Sequence, residues 1–183
     1  MTTPPVRFET LIEGYHDEIY RYLWRLLHGA SQGDRALEAQ DLAQEVFLRA
    51  YRAFGRLRRD SNHRAWLYKI ATNCAYSALK RGQCQLRHSV AASAASPAAP
   101  LSIPDDAGQS PDGQLARDET LAAVRAAIAA LPPKQQAAVV LRHVQGLDYA
   151  AIAQALDCSQ DSARANVYQG LRRLRRELGE DLF

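Results

Sequence analysis

Cysteine is scarce in this chain. There are three, Cys74, Cys84 and Cys158, and no CxxC pair. An odd number without pairing argues against a disulfide framework and against a zinc site built on cysteine alone. The ten glycines scatter without a GxxxxGK or GxGxxG run, so no phosphate cradle is present. His16, His28, His63, His88 and His143 do not combine with cysteines or carboxylates at metal-ligand spacing. No nucleophile stands beside a base, so catalysis has no support, and no cofactor is expected. No apolar run approaches the roughly 18 residues of a membrane span. The opening MTTPPVRFET lacks the apolar stretch of a secretory signal, so a cytoplasmic location is expected.

What remains is ample for a folded core. Of 183 residues, 47% are hydrophobic and 23% charged, which excludes wholesale disorder. The net charge of +3 is unevenly spread. Residues 1–88 carry 14 Lys/Arg against 9 Asp/Glu, and 89–113 carry three acids and no base. Residues 114–183 carry 9 bases and 8 acids, with Arg164, Arg172, Arg173, Arg175 and Arg176 crowded near the end. Segregated charge of this kind suits a polyanionic partner.

The segment SVAASAASPAAPLSIPDDAGQSPDG (89–113) divides the chain. Rich in Ala, Ser and Pro, with Leu101 and Ile103 its main apolar residues, it cannot bury enough surface to offset its ordering entropy. It reads as a flexible linker, spanning roughly 80–90 Å when extended and nearer 30 Å as a coil. Both flanks follow helical periodicity. Phe8, Leu11, Ile12, Tyr15, Ile19, Tyr22, Leu23 and Leu26 form one stripe that Gly29 ends. Leu42, Val46, Phe47, Ala50, Tyr51 and Phe54 form a second that reaches Gly55. Ser61 or Asn62 caps a third, with Trp66, Leu67, Ile70, Ala71, Cys74 and Leu79 as its core face and Gly82 as its stop. Beyond the linker come 115–131, a helix after Pro132-Pro133, a short helix opened by Asp148, and a long one from Ser159. The expected fold is all-α: two small helical domains joined by a flexible linker, the C-terminal one containing a helix-turn-helix.

That helix-turn-helix lies in 148–178. Ala150, Ile152, Ala153 and Leu156 are the apolar positions of the short helix, Asp157-Cys158-Ser159 the turn, and Ser159 the cap of the next helix. There Ala163, Val167, Leu171, Leu174 and Leu178 form the buried stripe. Arg164, Tyr168, Arg172 and Arg175 form a second stripe, suited to phosphates and base edges. In LRRDSNHRAWLYKIATNCAYSALKR (57–81), basic residues interleave with Trp66, Tyr68 and Tyr76, a composition suited to unstacked single-stranded bases. Trp66 reads as core, whereas Tyr68 and Lys69 fall on another face and read as contacts. In DLAQEVFLRAYRAF (41–54), Asp41, Glu45, Leu48 and Arg52 share a surface strip, with Gln44 and Arg49 beside it. Cys74 and Cys158 fall on or beside core faces; Cys84 is expected to be exposed.

DLAQEVFLRAYRAF followed by WLYKIATNCAYSALKR resembles the second conserved region of sigma-70 factors. LPPKQQAAVVLRHVQGLDYAAIAQALDCSQDSARANVYQGLRRLRREL resembles their fourth. The two together, joined by one linker, resemble the extracytoplasmic-function (ECF, group 4) sigma factors. The likeness covers 6–88 and 114–178. A plain helix-turn-helix regulator would account for the second part but leave DLAQEVFL and WLYKIATN unexplained.

The resemblance implies roles, residue by residue. Residues 6–88 would bind core RNA polymerase and the −10 element, 89–113 would be the linker, and 114–178 would bind the −35 element. Asp41, Gln44, Glu45, Phe47, Leu48 and Arg49 would dock on the polymerase clamp. Arg58, Arg59, Asp60, Ser61, Asn62, Arg64, Tyr68, Lys69, Asn73 and Lys80 would meet single-stranded −10 DNA and assist promoter opening. Ser159, Gln160, Ser162, Arg164, Ala165, Tyr168, Gln169, Arg172, Arg173, Arg175 and Arg176 would meet duplex −35 DNA. The linker would pass near the template strand, where Asp105, Asp106 and Asp112 would mimic nascent RNA. An anti-sigma factor is the further partner implied. Asn166, Gln169 and Asp161-Ser162 depart from the family pattern, which makes a promoter sequence borrowed from relatives unsafe.

Overall fold

The computed structural model describes residues 7–27, 35–58, 61–89 and 111–179. Seven α-helices occur among them and no strand: α1 (Phe8–Leu27), α2 (Arg35–Phe54), α3 (His63–Ser89), α4 (Pro111–Ala129), α5 (Pro133–Val139), α6 (Tyr149–Leu156) and α7 (Gln160–Leu178). The all-α expectation holds, with three α-helices before residue 90 and four after residue 110 among the described residues. No described helix is long and apolar enough to cross a membrane. Linker residues 90–110, with Leu101, Ile103, Asp105 and Asp106, lie outside the described residues, as do Arg59, Asp60 and the side chains of Cys84 and Asp112.

Two boundaries differ from expectation. Helix α3 runs through Gly82 to Ser89, and α4 begins at Pro111, inside the segment read as linker. A lone glycine costs a helix only about 1 kcal/mol, too little to stop one that is already well nucleated. Asn62 rather than Ser61 caps α3, its Oδ1 accepting from the Ala65 amide at 3.0 Å.

The first three helices pack on one another in every pairing. Leu11, Ile19, Tyr22, Leu23 and Leu26 of α1, with Leu42, Val46 and Ala50 of α2, are buried against Leu67, Ala71 and Cys74 of α3. Helix α3 is buried on a second side as well, because α6 packs on it. Tyr68 and Thr72 are sealed against Tyr22 of α1, while Trp66, Ile70 and Leu79 are only half-buried at the rim of the same core.

After the linker, α5 is the axis. Pro133 supplies the pre-set φ of a first helical position. Seven consecutive residues, Gln135 to Leu141, are buried. The helix ends in a single π turn, Val140–Val144, in which the Gln145 amide donates to the Val140 carbonyl at 3.0 Å. Gly146 then takes φ 68°, a left-handed value that costs glycine nothing, and buried Leu147 returns the chain to the core. The apolar interior is continuous from α1–α3 into α5–α7. Polar bonds cross the same boundary: Tyr76 donates to the Pro133 carbonyl at 2.9 Å, and Gln136 Nε2 lies 3.4 Å from the carbonyls of Arg25 and Leu26.

Candidate nucleic-acid interface

The helix-turn-helix is fixed by its caps. Asp148 Oδ1 accepts from the Ala151 amide at 2.7 Å and opens α6. Asp157 closes α6 in the left-handed region (φ 52°, ψ 53°), where aspartate is among the few tolerated residues. Ser159 Oγ accepts from the Ser162 amide at 3.1 Å and opens α7. Ala163, Val167 and Leu174 are buried, and Leu171 and Leu178 half-buried, along the expected stripe. Gly170 faces α5 so closely that a Cβ there would lie 2.6 Å from Val139 Cγ2. Helices α5 and α7 pack together there.

The opposite face of α7 is open. Ser159, Gln160, Ser162, Arg164, Ala165, Tyr168, Gln169, Arg172, Arg173, Arg175 and Arg176 are all exposed. Asp161 shares this face and lies 3.6 Å from the Arg164 guanidinium. Gln169 is tied back to the core by a 2.9 Å hydrogen bond from Gln135 Nε2, and Asn166 Nδ2 donates to the Ser162 carbonyl. Two residues outside the expected set join the face. Tyr149 begins α6, and its ring centroid lies 4.7 Å from Arg142 Cζ and 5.5 Å from Arg164 Cζ. Nothing in the spacing of 142, 149 and 164 pointed to this cluster, since three separate elements bring it together.

The residues expected at single-stranded DNA divide. Arg58, Asn62, Asn73 and Lys80 are exposed. Ser61 is half-buried, its amide donating to the Arg58 carbonyl at 3.1 Å. Arg64 is pinned: Nε donates to Glu18 at 2.7 Å and Nη2 to the Gln145 carbonyl at 2.6 Å. Burial opposes its charge, but the bond and attraction to Glu18 outweigh it and raise the pKa. Lys69 Nζ donates to Asp157 Oδ1 at 2.7 Å, in the turn of the helix-turn-helix.

Tyr68 corrects the reading of it as a contact. It is fully buried, its ring 4.9 Å from that of Tyr22 and its hydroxyl 2.5 Å from Glu18 Oε1. Burial and the Glu18 carboxylate raise its pKa. No base can stack on it in this arrangement, whereas Trp66, read as core, is half-buried and packs against the core.

On α2, Asp41, Gln44, Leu48 and Arg49 are exposed, and Glu45 is half-exposed with its carboxylate 2.6 Å from Arg49 Nε. Phe47 is corrected too: it is 7% exposed and stacks on His16 at 5.9 Å, so it supports the helix from beneath. Leu37, not singled out beforehand, is 57% exposed, and Tyr51, expected in the apolar stripe of this helix, is 66% exposed. With Asp41, Gln44 and Leu48 they recur at intervals of four and three, one straight seam of the kind that packs along another helix.

Among the described residues no cluster of His, Cys, Asp or Glu could hold a metal ion. Cys74 is buried and its thiol pushed up by that burial; Cys158 is half-buried.

Known proteins match this layout. Residues 11–84 fit the family model for sigma-70 region 2, and residues 121–174 that for sigma-70 region 4. The chain is 35% identical over 163 residues to the RNA polymerase sigma-H factor of Pseudomonas aeruginosa, covering 88% of this chain and 81% of that protein. It is 31% identical over 172 residues to the ECF RNA polymerase sigma factor SigM of Mycobacterium tuberculosis, covering 94% and 77%. Among solved structures, the sigma factor RpoE in complex with the anti-sigma factor NepR from Bartonella quintana aligns with a TM-score of 0.71. That likeness has 21% identity and covers 93% of this chain and 96% of that one. CnrH in complex with the cytosolic domain of CnrY aligns with a TM-score of 0.64 at 19% identity, covering 95% and 88%. At those identities the structures speak for the fold, and the closer relatives for the family. The chain belongs to the sigma-70 family, in its extracytoplasmic-function branch, and is a transcription initiation factor of RNA polymerase, with no catalysis of its own.

Proposed function

We propose that residues 6–88 and 114–178 act as two units joined by 89–113, gripping core polymerase and two promoter elements. The α7 face would enter the major groove at −35, with Arg164 near the bases and Arg172, Arg173, Arg175 and Arg176 along the phosphates. Arg58, Asn62, Arg64, Lys69, Asn73 and Lys80 would meet the −10 strand and assist opening. The seam Leu37–Asp41–Gln44–Leu48–Tyr51 would lie on the polymerase clamp. An anti-sigma factor is proposed as a further partner, since the neighbouring folds were solved with one. The observation that carries this reading is the open basic face of α7, set on a capped helix-turn-helix. In the closed arrangement Arg64 and Lys69 hold Gln145 and Asp157, so their use on DNA requires those bonds to break. About 34–36 Å per helical turn puts the two elements roughly 50–70 Å apart, a gap the linker can span.

Holoenzyme selection on a randomised −35 library tests the reading. Arg164→Ala is expected to cost about 1–3 kcal/mol and relax preference at one position. Arg175→Ala is expected to weaken binding evenly across sequences and lower the salt slope by about one. If Arg175→Ala changes the preference and Arg164→Ala does not, α7 lies in the groove the other way round.

A further inference from the structure

We propose that Tyr149 is a positioning residue for promoter discrimination, its ring holding the Arg164 guanidinium ready for the −35 bases. The inference rests on the reading of α7 as the −35 helix and adds a residue that acts through another.

Arginine carries a long, flexible side chain, and an exposed one samples many rotamers unless something holds it. Two groups are near Arg164. The Asp161 carboxylate is 3.6 Å away, but that side chain is 93% exposed, so water competes strongly for the pair. The Tyr149 ring is half-buried and 5.5 Å from Arg164 Cζ. A carboxylate occupies the N–H donors that a base edge would need. An aromatic ring attracts the charge and leaves the donor fork free for a bidentate contact.

The ring is itself fixed. It occupies the first residue of α6, whose start is set by the Asp148 cap. Arg142, from the π turn, packs on it at 4.7 Å and is anchored by its 2.9 Å bond to the Leu147 carbonyl. The Arg142–Tyr149–Arg164 cluster thus ties an exposed side chain to two half-buried ones. Pre-ordering of this kind lowers the ordering cost of binding and is felt where Arg164 reads, not along the phosphates.

The test is −35 library selection with reconstituted holoenzyme, comparing Tyr149→Leu, Tyr149→Phe, Arg164→Ala and the Tyr149→Leu/Arg164→Ala double variant. Tyr149→Leu is expected to weaken preference about two- to fivefold, the scale of an exposed cation–π contact, at the position that Arg164→Ala flattens. Its salt slope should be unchanged, Tyr149→Phe should match the unmodified chain, and the double variant should be no worse than Arg164→Ala. A graded series of fluorinated phenylalanines at 149 keeps the ring's shape while draining its face of negative charge. Preference should fall with each fluorine even if the leucine variant folds poorly. If Arg164→Ala flattens a position while Tyr149→Leu and the fluorinated series leave it intact, the positioning role is wrong and the −35 reading stands. If Arg164→Ala alters no −35 position, that reading itself fails.

Discussion

Glu18 offers a perturbation whose cost can be worked from the geometry. Its Oε1 accepts from Arg64 Nε at 2.7 Å and from the Tyr68 hydroxyl at 2.5 Å. Its side chain is 20% exposed and that of Arg64 35%, while Tyr68 is fully buried. Hydrogen bonds to a charged group contribute about 1.5–3 kcal/mol each, and a buried hydroxyl left unpaired costs about 1–3 kcal/mol. Arg64 keeps the Gln145 carbonyl and some water, so its share falls at the low end. Glu18→Ala should therefore destabilise the chain by about 2–4 kcal/mol, a fall in Tm on the order of 10 °C for a chain of this size. Glu18→Gln keeps an acceptor for Tyr68 and loses only the partly screened charge, so about 1–2 kcal/mol is expected. Tyr68→Phe removes one bond but leaves Glu18 with Arg64, and about 1 kcal/mol is expected. Thermal and urea unfolding followed by circular dichroism measure all three. A Glu18→Ala loss below about 1 kcal/mol, or a Gln variant as damaged as the Ala one, would refute the claim that this carboxylate satisfies a buried network.

Gly170→Ala should lower stability by about 1–2 kcal/mol, because overpacking against the stiff Val139 exceeds the roughly 1 kcal/mol gained in helix propensity. The companion Val139→Ala should relieve it, so a double variant more stable than Gly170→Ala is the check in urea unfolding. Leu48→Arg and Tyr51→Ser should each weaken pull-down of core polymerase without changing the circular dichroism spectrum, since both side chains are exposed; undiminished capture would remove the α2 seam from the interface. Asp157→Asn keeps a residue that tolerates the left-handed turn while weakening the pair with Lys69, an exposed bond worth about 0–1 kcal/mol. Stability should hardly change and the affinity for a single-stranded −10 oligonucleotide, read by fluorescence anisotropy, should rise up to about fivefold; no rise would mean that Lys69 is no DNA contact.

Most of the fold could be read from local chemistry. Pro133 at a helix start, Gly55 at an end, and Asp148 and Ser159 as caps all act within one turn, so their sequence signatures placed four boundaries closely. The buried stripe of α7 was equally plain, as one face of a helix at the edge of a core. Helix α3 was harder because α1 and α2 together cover more of it than one stripe, and a single-face period cannot tell where that burial ends. Hence Tyr68 was assigned to DNA when it belongs with Tyr22 and Glu18. Phe47 was drawn into the docking surface for a related reason: it adjoins that surface in sequence but points beneath it. The Arg142–Tyr149–Arg164 stack had no local signature, since its spacing is created by the turn between α6 and α7 and by the π turn before them.

The unbroken burial of residues 135–141, from α5 into the π turn, bears on how this chain can change over generations. Through Gln136 that stretch meets the carbonyls of Arg25 and Leu26, and through Val139 and Gln135 it meets Gly170 and Gln169 of α7. A gain of even one methyl group along 135–141 would therefore shift two surfaces together. Under the proposed reading of α7, drift in promoter preference enters through its outward residues, one at a time. The seven residues 135–141 form the least permissive window among the described residues, and a deep mutational scan for folded protein would find its lowest tolerance there.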